Sequence, residues 1–227
     1  LALKRVIDIN PEIFGIIFCR TRNETQQIAE KLMKDGYNCE PIHGELSQSQ
    51  RDAVMKKFKE RTLQLLCATD VAARGIDVNN ITHVINYNLP DDNENYTHRS
   101  GRTARAGKSG ESIVFITARE LGRIKDIERQ IKTRFRHVRI PNGTEICERQ
   151  LLALIDKVAN VEVNENMIDQ YLPKVNEKLA HMTKEEVIKH FVSAEFNRFL
   201  NYYKNAEDMN APVSGKYEQR VTQQSEG

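Results

Sequence analysis

The segment His98–Gly107, H-R-S-G-R-T-A-R-A-G, sets Arg99, Arg102 and Arg105 at every third position. Arginine carries a planar, permanently charged fork of N–H donors that meets two oxygens of a carboxylate or phosphate at once. Positions three apart lie on one side of a helix, so this spacing can offer several guanidinium groups to a polyphosphate. A lone R-x-x-R-x-x-R more often marks a solvated basic helix end. Three more segments accompany this one: I-I-F-C-R-T-R (Ile16–Arg22), H-G-E-L-S-Q-S-Q-R (His43–Arg51) and A-T-D-V-A-A-R-G-I-D-V (Ala68–Val78). In the last, Asp77 follows a turn at Gly75, where a carboxylate can accept from a ribose hydroxyl, orient an arginine or cap a turn.

Elements must hold these residues in place. Short β-type runs alternate with amphipathic helical stretches across residues 1–142, the pattern of a parallel sheet with crossover helices. The expected strands are Phe14–Phe18, Asn38–His43, Leu63–Ala68, Thr82–Asn86 and Ser112–Thr117. Thr21–Glu24 and Ser47–Gln50 read as capping boxes, opening helices that bury Ile28, Leu32 and Met33 in the first and Val54 and Phe58 in the second. A parallel sheet binds ligands at the carboxyl ends of its strands. Each of the four segments begins at or just after such an end, so they can converge on one edge.

In this order and at these separations the segments resemble the motifs of the second RecA-like domain of DEAD-box RNA helicases. H-R-x-G-R-x-x-R is met at His98, Arg99, Gly101, Arg102 and Arg105, R-G-x-D at Arg74, Gly75 and Asp77, and Q-x-x-R at Gln48 and Arg51. His98 favours this group over DEAH-box and RecQ-type helicases, which usually carry glutamine there. Ser100 and Ala104 depart from the usual isoleucine and glycine, away from the charged positions. The resemblance implies an α/β RecA-like fold over residues 1–142. It makes Arg102 and Arg105 arginine fingers on the γ-phosphate, with Gly75 and Asp77 on the nucleotide side. Arg20, Thr21, Gly44, Arg51 and Thr69 would face RNA, and His98 and Arg99 would couple the two sites across a domain cleft. No G-x-x-x-x-G-K-[ST] loop, D-E-A-D or S-A-T occurs. ATP and its magnesium therefore need ligands from a preceding RecA-like domain, and the chain alone is expected to be inactive. The alternative is a non-enzymatic RNA-binding or docking module that keeps the fold.

Composition sets the remaining bounds. Of 227 residues, 39% are hydrophobic and 29% charged, as in a water-soluble globular protein. The net charge of +2 hides an asymmetry: residues 1–142 hold 24 Lys+Arg against 18 Asp+Glu, and residues 143–227 hold 10 against 14. Anionic ligands thus belong to the first part. Eight Lys+Arg and three acids fall between Arg119 and Arg139. That run reads as a solvated helix face before it reads as an RNA path. Cys19, Cys39, Cys67 and Cys147 form no C-x-x-C pair, and Cys19 and Cys67 sit in apolar runs. Small buried thiols in a reducing cytosol are the expectation, with no metal. No run approaches the roughly 18 apolar residues of a membrane span, and no signal peptide opens the chain.

From Thr144 the periodicity is helical. Leu151, Leu154, Ile155 and Val158 mark one helix, and Met167, Ile168, Tyr171 and Leu172 another, interrupted or capped by Pro173. Thr183–Glu186 opens a third with the stripe Ile188, Phe191, Phe196, Phe199, Leu200 and Tyr203. Residues 143–209 are read as a helical extension similar to that of bacterial cold-shock-type DEAD-box helicases, pairing with a second copy through this stripe. Residues 210–227 are polar and aperiodic, a flexible tail.

Overall fold

The computed structural model describes residues 1–104 and 109–210; Arg105 and the predicted tail beyond Asn210 lie outside the described residues. The chain divides into two compact units, Glu12–His137 and a second made of Leu1–Pro11 with the residues from Val138 onward. In chain order, helix α1 (Ala2–Asp8) is followed by β1 (Gly15–Phe18), α2 (Arg22–Lys34), β2 (Cys39–Ile42), α3 (Gln48–Lys59), β3 (Leu65–Ala68), α4 (Asp70–Ala73), β4 (His83–Asn86), α5 (Asn93–Ser100), β5 (Glu111–Val114) and α6 (Leu121–Ile131).

All five expected strands form, and they pair in parallel in the order β2-β3-β1-β4-β5. This is the RecA-like α/β architecture. β1, β3 and β4 are buried at every residue, as parallel strands covered on both faces must be. Ile16, Phe18, Ile42, Phe58, Leu66 and Val84 centre the core, and Phe14 stacks on Phe58 with centroids 4.5 Å apart. Ile42, Ala68, Phe18, Asn86 and Val114 are successive partners across the sheet, so the carboxyl ends of all five strands lie at one edge.

The helices between strands start where their caps are. Ser47 and Gln50 form the full reciprocal box of α3, which buries Val54 and Phe58. At α2 the box is half made. Thr21 Oγ1 accepts from Glu24 N–H, but the Glu24 carboxylate accepts from Arg20 N–H at 3.0 Å and Asn88 Nδ2 at 3.2 Å. The buried face of α2 is also rotated from the expected one: Thr25, Ala29 and Leu32 face the sheet, Ile28 is half-buried and Met33 is exposed. Small residues there let the helix approach β2 and β3. Cys19, Cys39 and Cys67 are buried thiols, and burial, reinforced by Glu24, pushes the Cys19 thiol up to about 12.

The second unit contains α1 and four further helices, α7 (Gly143–Asn160), α8 (Glu165–Ile168), α9 (Leu172–Leu179) and α10 (Lys184–Tyr203). Residues 1–11, grouped with the sheet by the division at 142, pack here. Buried Arg5 donates to the carbonyls of Pro141 at 3.3 Å and Glu207 at 2.5 Å, and Tyr203 donates to the Asp8 carboxylate. Pro173 sits in the first turn of α9, where its missing N–H costs nothing, so it starts a helix and interrupts none. The stripe expected on α10 divides: Phe196 and Tyr203 are buried within the unit, whereas Ile188, Phe191 and Leu200 are exposed. Among the described residues no helix is long and apolar enough to cross a membrane.

Candidate nucleic-acid and nucleotide site

The carboxyl edge of the sheet assembles the site residues from separate parts of the chain. β1 ends into Arg20 and Thr21, β2 into His43 and Gly44, and β3 into Thr69, and these three strands are neighbours. Thr21 caps α2. Thr69 caps α4, its hydroxyl accepting from Ala72 N–H at 3.4 Å, and is buried. Gly44 is exposed, with no heavy atom within 4 Å of a Cβ built on it. Arg51, in the first turn of capped α3, is half-buried. Arg20 is partly engaged, its guanidinium 3.5 Å from both the Leu89 carbonyl and the Asp91 carboxylate. Beside these residues lies an open groove of about 510 Å³ lined by Thr21, Arg22, Asn23, Gln26, His43 and Glu45.

Arg99 does not reach outward. It is 2% exposed and forms a two-point ion pair with Asp70, Nε to Oδ1 at 2.5 Å and Nη2 to Oδ2 at 2.7 Å. Its Nη1 donates to Asn86 Oδ1 at 3.0 Å and to the Asn88 carbonyl at 2.9 Å, and the guanidinium stands 5.0 Å over the Phe18 ring. A buried guanidinium is tolerated when its donors are satisfied in this way. Arg99 thus bonds within this unit to the residue after Thr69, to Asn86 at the end of β4 and to the Asn88 carbonyl. His98, the preceding residue, is exposed.

One turn beyond Arg99, Arg102 Nη1 donates to the Ile76 carbonyl at 2.8 Å. Ile76 lies inside the R-G-I-D turn, between Gly75 and Asp77. Gly75 has φ +80°, and a Cβ there would meet nothing within 4 Å. Its requirement is therefore the left-handed backbone, which side chains resist, and not close packing within the protein. Asp77 is exposed on the same turn and Arg102 is half-buried beside it. Gly75, Asp77 and Arg102 therefore lie around one turn.

Asp70, Asn86 and Asn88, the partners of Arg99, were not singled out in the sequence. Asp70 opens α4, where an acid in a first turn reads as an ordinary response to the helix dipole; its spacing alone does not reveal a buried arginine 29 positions on.

Two sequence families match. The family described as "Helicase conserved C-terminal domain" matches residues 2–107, and "Probable ATP-dependent RNA helicase, helical domain" matches residues 146–204. A solved structure of Escherichia coli DEAD-box protein SrmB bound to regulator of ribonuclease activity A is 35% identical, covers 60% of this chain and 82% of that one, and superposes with a TM-score of 0.55. The chain belongs to the DEAD-box helicases. A DEAD-box protein of Methanococcus jannaschii is 47% identical over 59% of this chain and 36% of its own, with a TM-score of 0.54. DEAD-box ATP-dependent RNA helicase CshA of Geobacillus kaustophilus is 44% identical over 165 residues, 73% of this chain and 35% of that protein. CshA of Listeria monocytogenes is 40% identical over 177 residues, 78% of this chain and 34% of that protein. The chain thus spans about a third of the length of the curated relatives it matches, and it aligns with the C-terminal helicase domain and the helical domain of the family.

Proposed function

We propose that this chain is the RNA-gripping and phosphate-sensing half of an ATP-dependent RNA helicase that separates short duplexes locally in the cytoplasm. The observation that carries the reading is the Asp70–Arg99 ion pair. Asp70 follows Thr69 on the RNA side, and Arg99 stands one turn before Arg102, which holds the R-G-I-D turn on the nucleotide side. RNA backbone runs past Arg20, Thr21, Gly44, Thr69 and Arg51, where readout of sugar and phosphate ignores sequence. The open space at Gly75, the exposed Asp77 carboxylate and the Arg102 guanidinium fit the ribose and phosphates of ATP. Bound ATP supplies the phosphoryl group that water attacks. This chain contributes charge to the γ-phosphate through Arg102 and Arg105.

Among the described residues no cluster of three His, Cys, Asp or Glu side chains could hold a metal ion. The phosphate loop and the magnesium ligands come from a partner RecA-like domain, since neither G-x-x-x-x-G-K-[ST] nor D-E-A-D occurs in these residues. RNA and ATP hold the two domains closed, the grip bends one strand, and hydrolysis releases it. The purified 227-residue chain should accordingly turn over no ATP with or without RNA. Turnover above that of a variant carrying Arg102→Ala and Arg105→Ala would overturn the division of labour.

The helical unit is proposed to pair with a second copy. Ile188, Phe191 and Leu200 on α10 and Leu152, Ile155 and Val158 on α7 are exposed apolar side chains, more than a unit of this size usually leaves to water. Sedimentation of the chain against a variant with Phe191→Lys and Leu200→Lys tests this at tens of micromolar protein. A dimer lost in the variant is expected; a monomer in both contradicts it.

A further inference from the structure

In the basic run between Arg119 and Arg139 eight Lys and Arg stand against three acids, a surplus of five positive charges, and each acid makes a specific contact. Glu120 accepts from the backbone N–H and hydroxyl of Thr117, and its carboxylate is held below the usual range chiefly by that backbone bond. Asp126 pairs with Arg129. Glu128 accepts from the backbone N–H of Phe135 at 2.8 Å. Lys125, Lys132, Arg134 and Arg136 are exposed and have no carboxylate partner among the described residues. Lys125 lies on α6, whose Ile124 and Ile127 are buried, and Lys132 caps the end of that helix with a left-handed backbone, φ +56°. After Lys132 the chain leaves the helix, and Phe135 packs edge-on against Tyr96 with centroids 5.2 Å apart. The bond to Glu128 and this ring contact fix the backbone between Arg134 and Arg136, which flank the anchored phenylalanine.

We infer that Lys125, Lys132, Arg134 and Arg136 form a second phosphate-binding surface, separate from the strand-end site, that takes the backbone of RNA flanking the gripped strand. The inference rests on the reading of the sheet unit as an RNA-binding unit. Four exposed cations without a paired carboxylate release counterions when they meet a polyanion, which is the source of salt-dependent, sequence-independent affinity. Their side chains need no reordering of the main chain to bind. An acidic protein segment is the competing occupant. It matches charge but lacks the regular phosphate spacing of a nucleic-acid strand.

The test measures binding of the 227-residue chain to single-stranded RNAs of about 10 and about 30 nucleotides between about 50 and about 200 mM salt. A variant carrying Lys132→Gln, Arg134→Gln and Arg136→Gln is compared with Arg51→Ala and with wild type, each checked for an unchanged unfolding midpoint. The expected result is a loss of about two units from the slope of log affinity against log salt for the longer RNA in the triple variant, at about 0.7 per phosphate contact. The shorter RNA should be much less affected, and Arg51→Ala should weaken both by removing about one contact. A triple variant indistinguishable from wild type, with Arg51→Ala still impaired, would overturn the second surface and leave the strand-end site standing. A triple variant impaired while Arg51→Ala is normal would support the second surface and contradict the strand-end reading. Polyglutamate of matched length competing as well as the longer RNA would assign the surface to acidic protein and overturn the inference.

Discussion

At the scale of single residues, the arginines of the repeat differ in surroundings: Arg99 is buried in an ion pair, and Arg102 is half-buried beside the R-G-I-D turn. Gly75, Asp77 and Arg102, which the family resemblance groups on the nucleotide side, lie around one turn, where Arg102 bonds to the Ile76 carbonyl. Arg99 shares the repeat but is buried, and spacing alone cannot tell a buried arginine from an exposed one. Its partner Asp70 shows only in three dimensions. Removing one member of a buried ion pair strands the other charge, at a cost of about 3–5 kcal/mol. The Asp70 side chain is 30% exposed, so Asp70→Asn should fall at or below the low end of that range. A double-mutant cycle with Arg99→Met, followed by denaturant unfolding, checks this. The double variant is expected to be less destabilised than the sum of the singles, because neither charge is then left alone. Strict additivity would mean that the pair is not coupled.

At the scale of elements, the strands were legible because each is a short apolar run bounded by turn residues, and β1, β3 and β4 are buried on both faces. The α2 face was misread. Apolar Ile28 and Met33 drew the expected stripe, but tight approach to the sheet selects Thr25 and Ala29, and hydrophobicity does not encode distance of approach. The α3 box was read correctly, and Arg51, proposed to contact RNA, lies in the first turn it fixes. Ser47→Ala removes the acceptor for Gln50 N–H and should cost about 1 kcal/mol. Amide exchange in the first turn of α3 should rise, and RNA affinity should fall by less than for Arg51→Ala. Unchanged exchange there would show that packing of Val54 and Phe58 holds the helix start without its cap.

At the scale of the whole molecule, the chain divides into two compact units, and α1 belongs with the helices from Val138 onward. The place of α1 was not legible: seven residues carry too little periodicity to choose a neighbour, and the bonds from Arg5 and Asp8 join positions 136 to 202 residues away. The central claim is that Arg102 and Arg105, after α5, serve nucleotide chemistry while the ends of β1, β2 and β3 serve RNA. In the protein that joins this chain to a phosphate-loop domain, RNA-stimulated ATP turnover by Arg102→Ala is the direct test. The account predicts a fall of at least about 10²-fold, within the range of a lost arginine finger, with RNA affinity in the absence of nucleotide nearly unchanged. Normal turnover in that variant would reduce Arg102 to its bond with the Ile76 carbonyl and contradict the account.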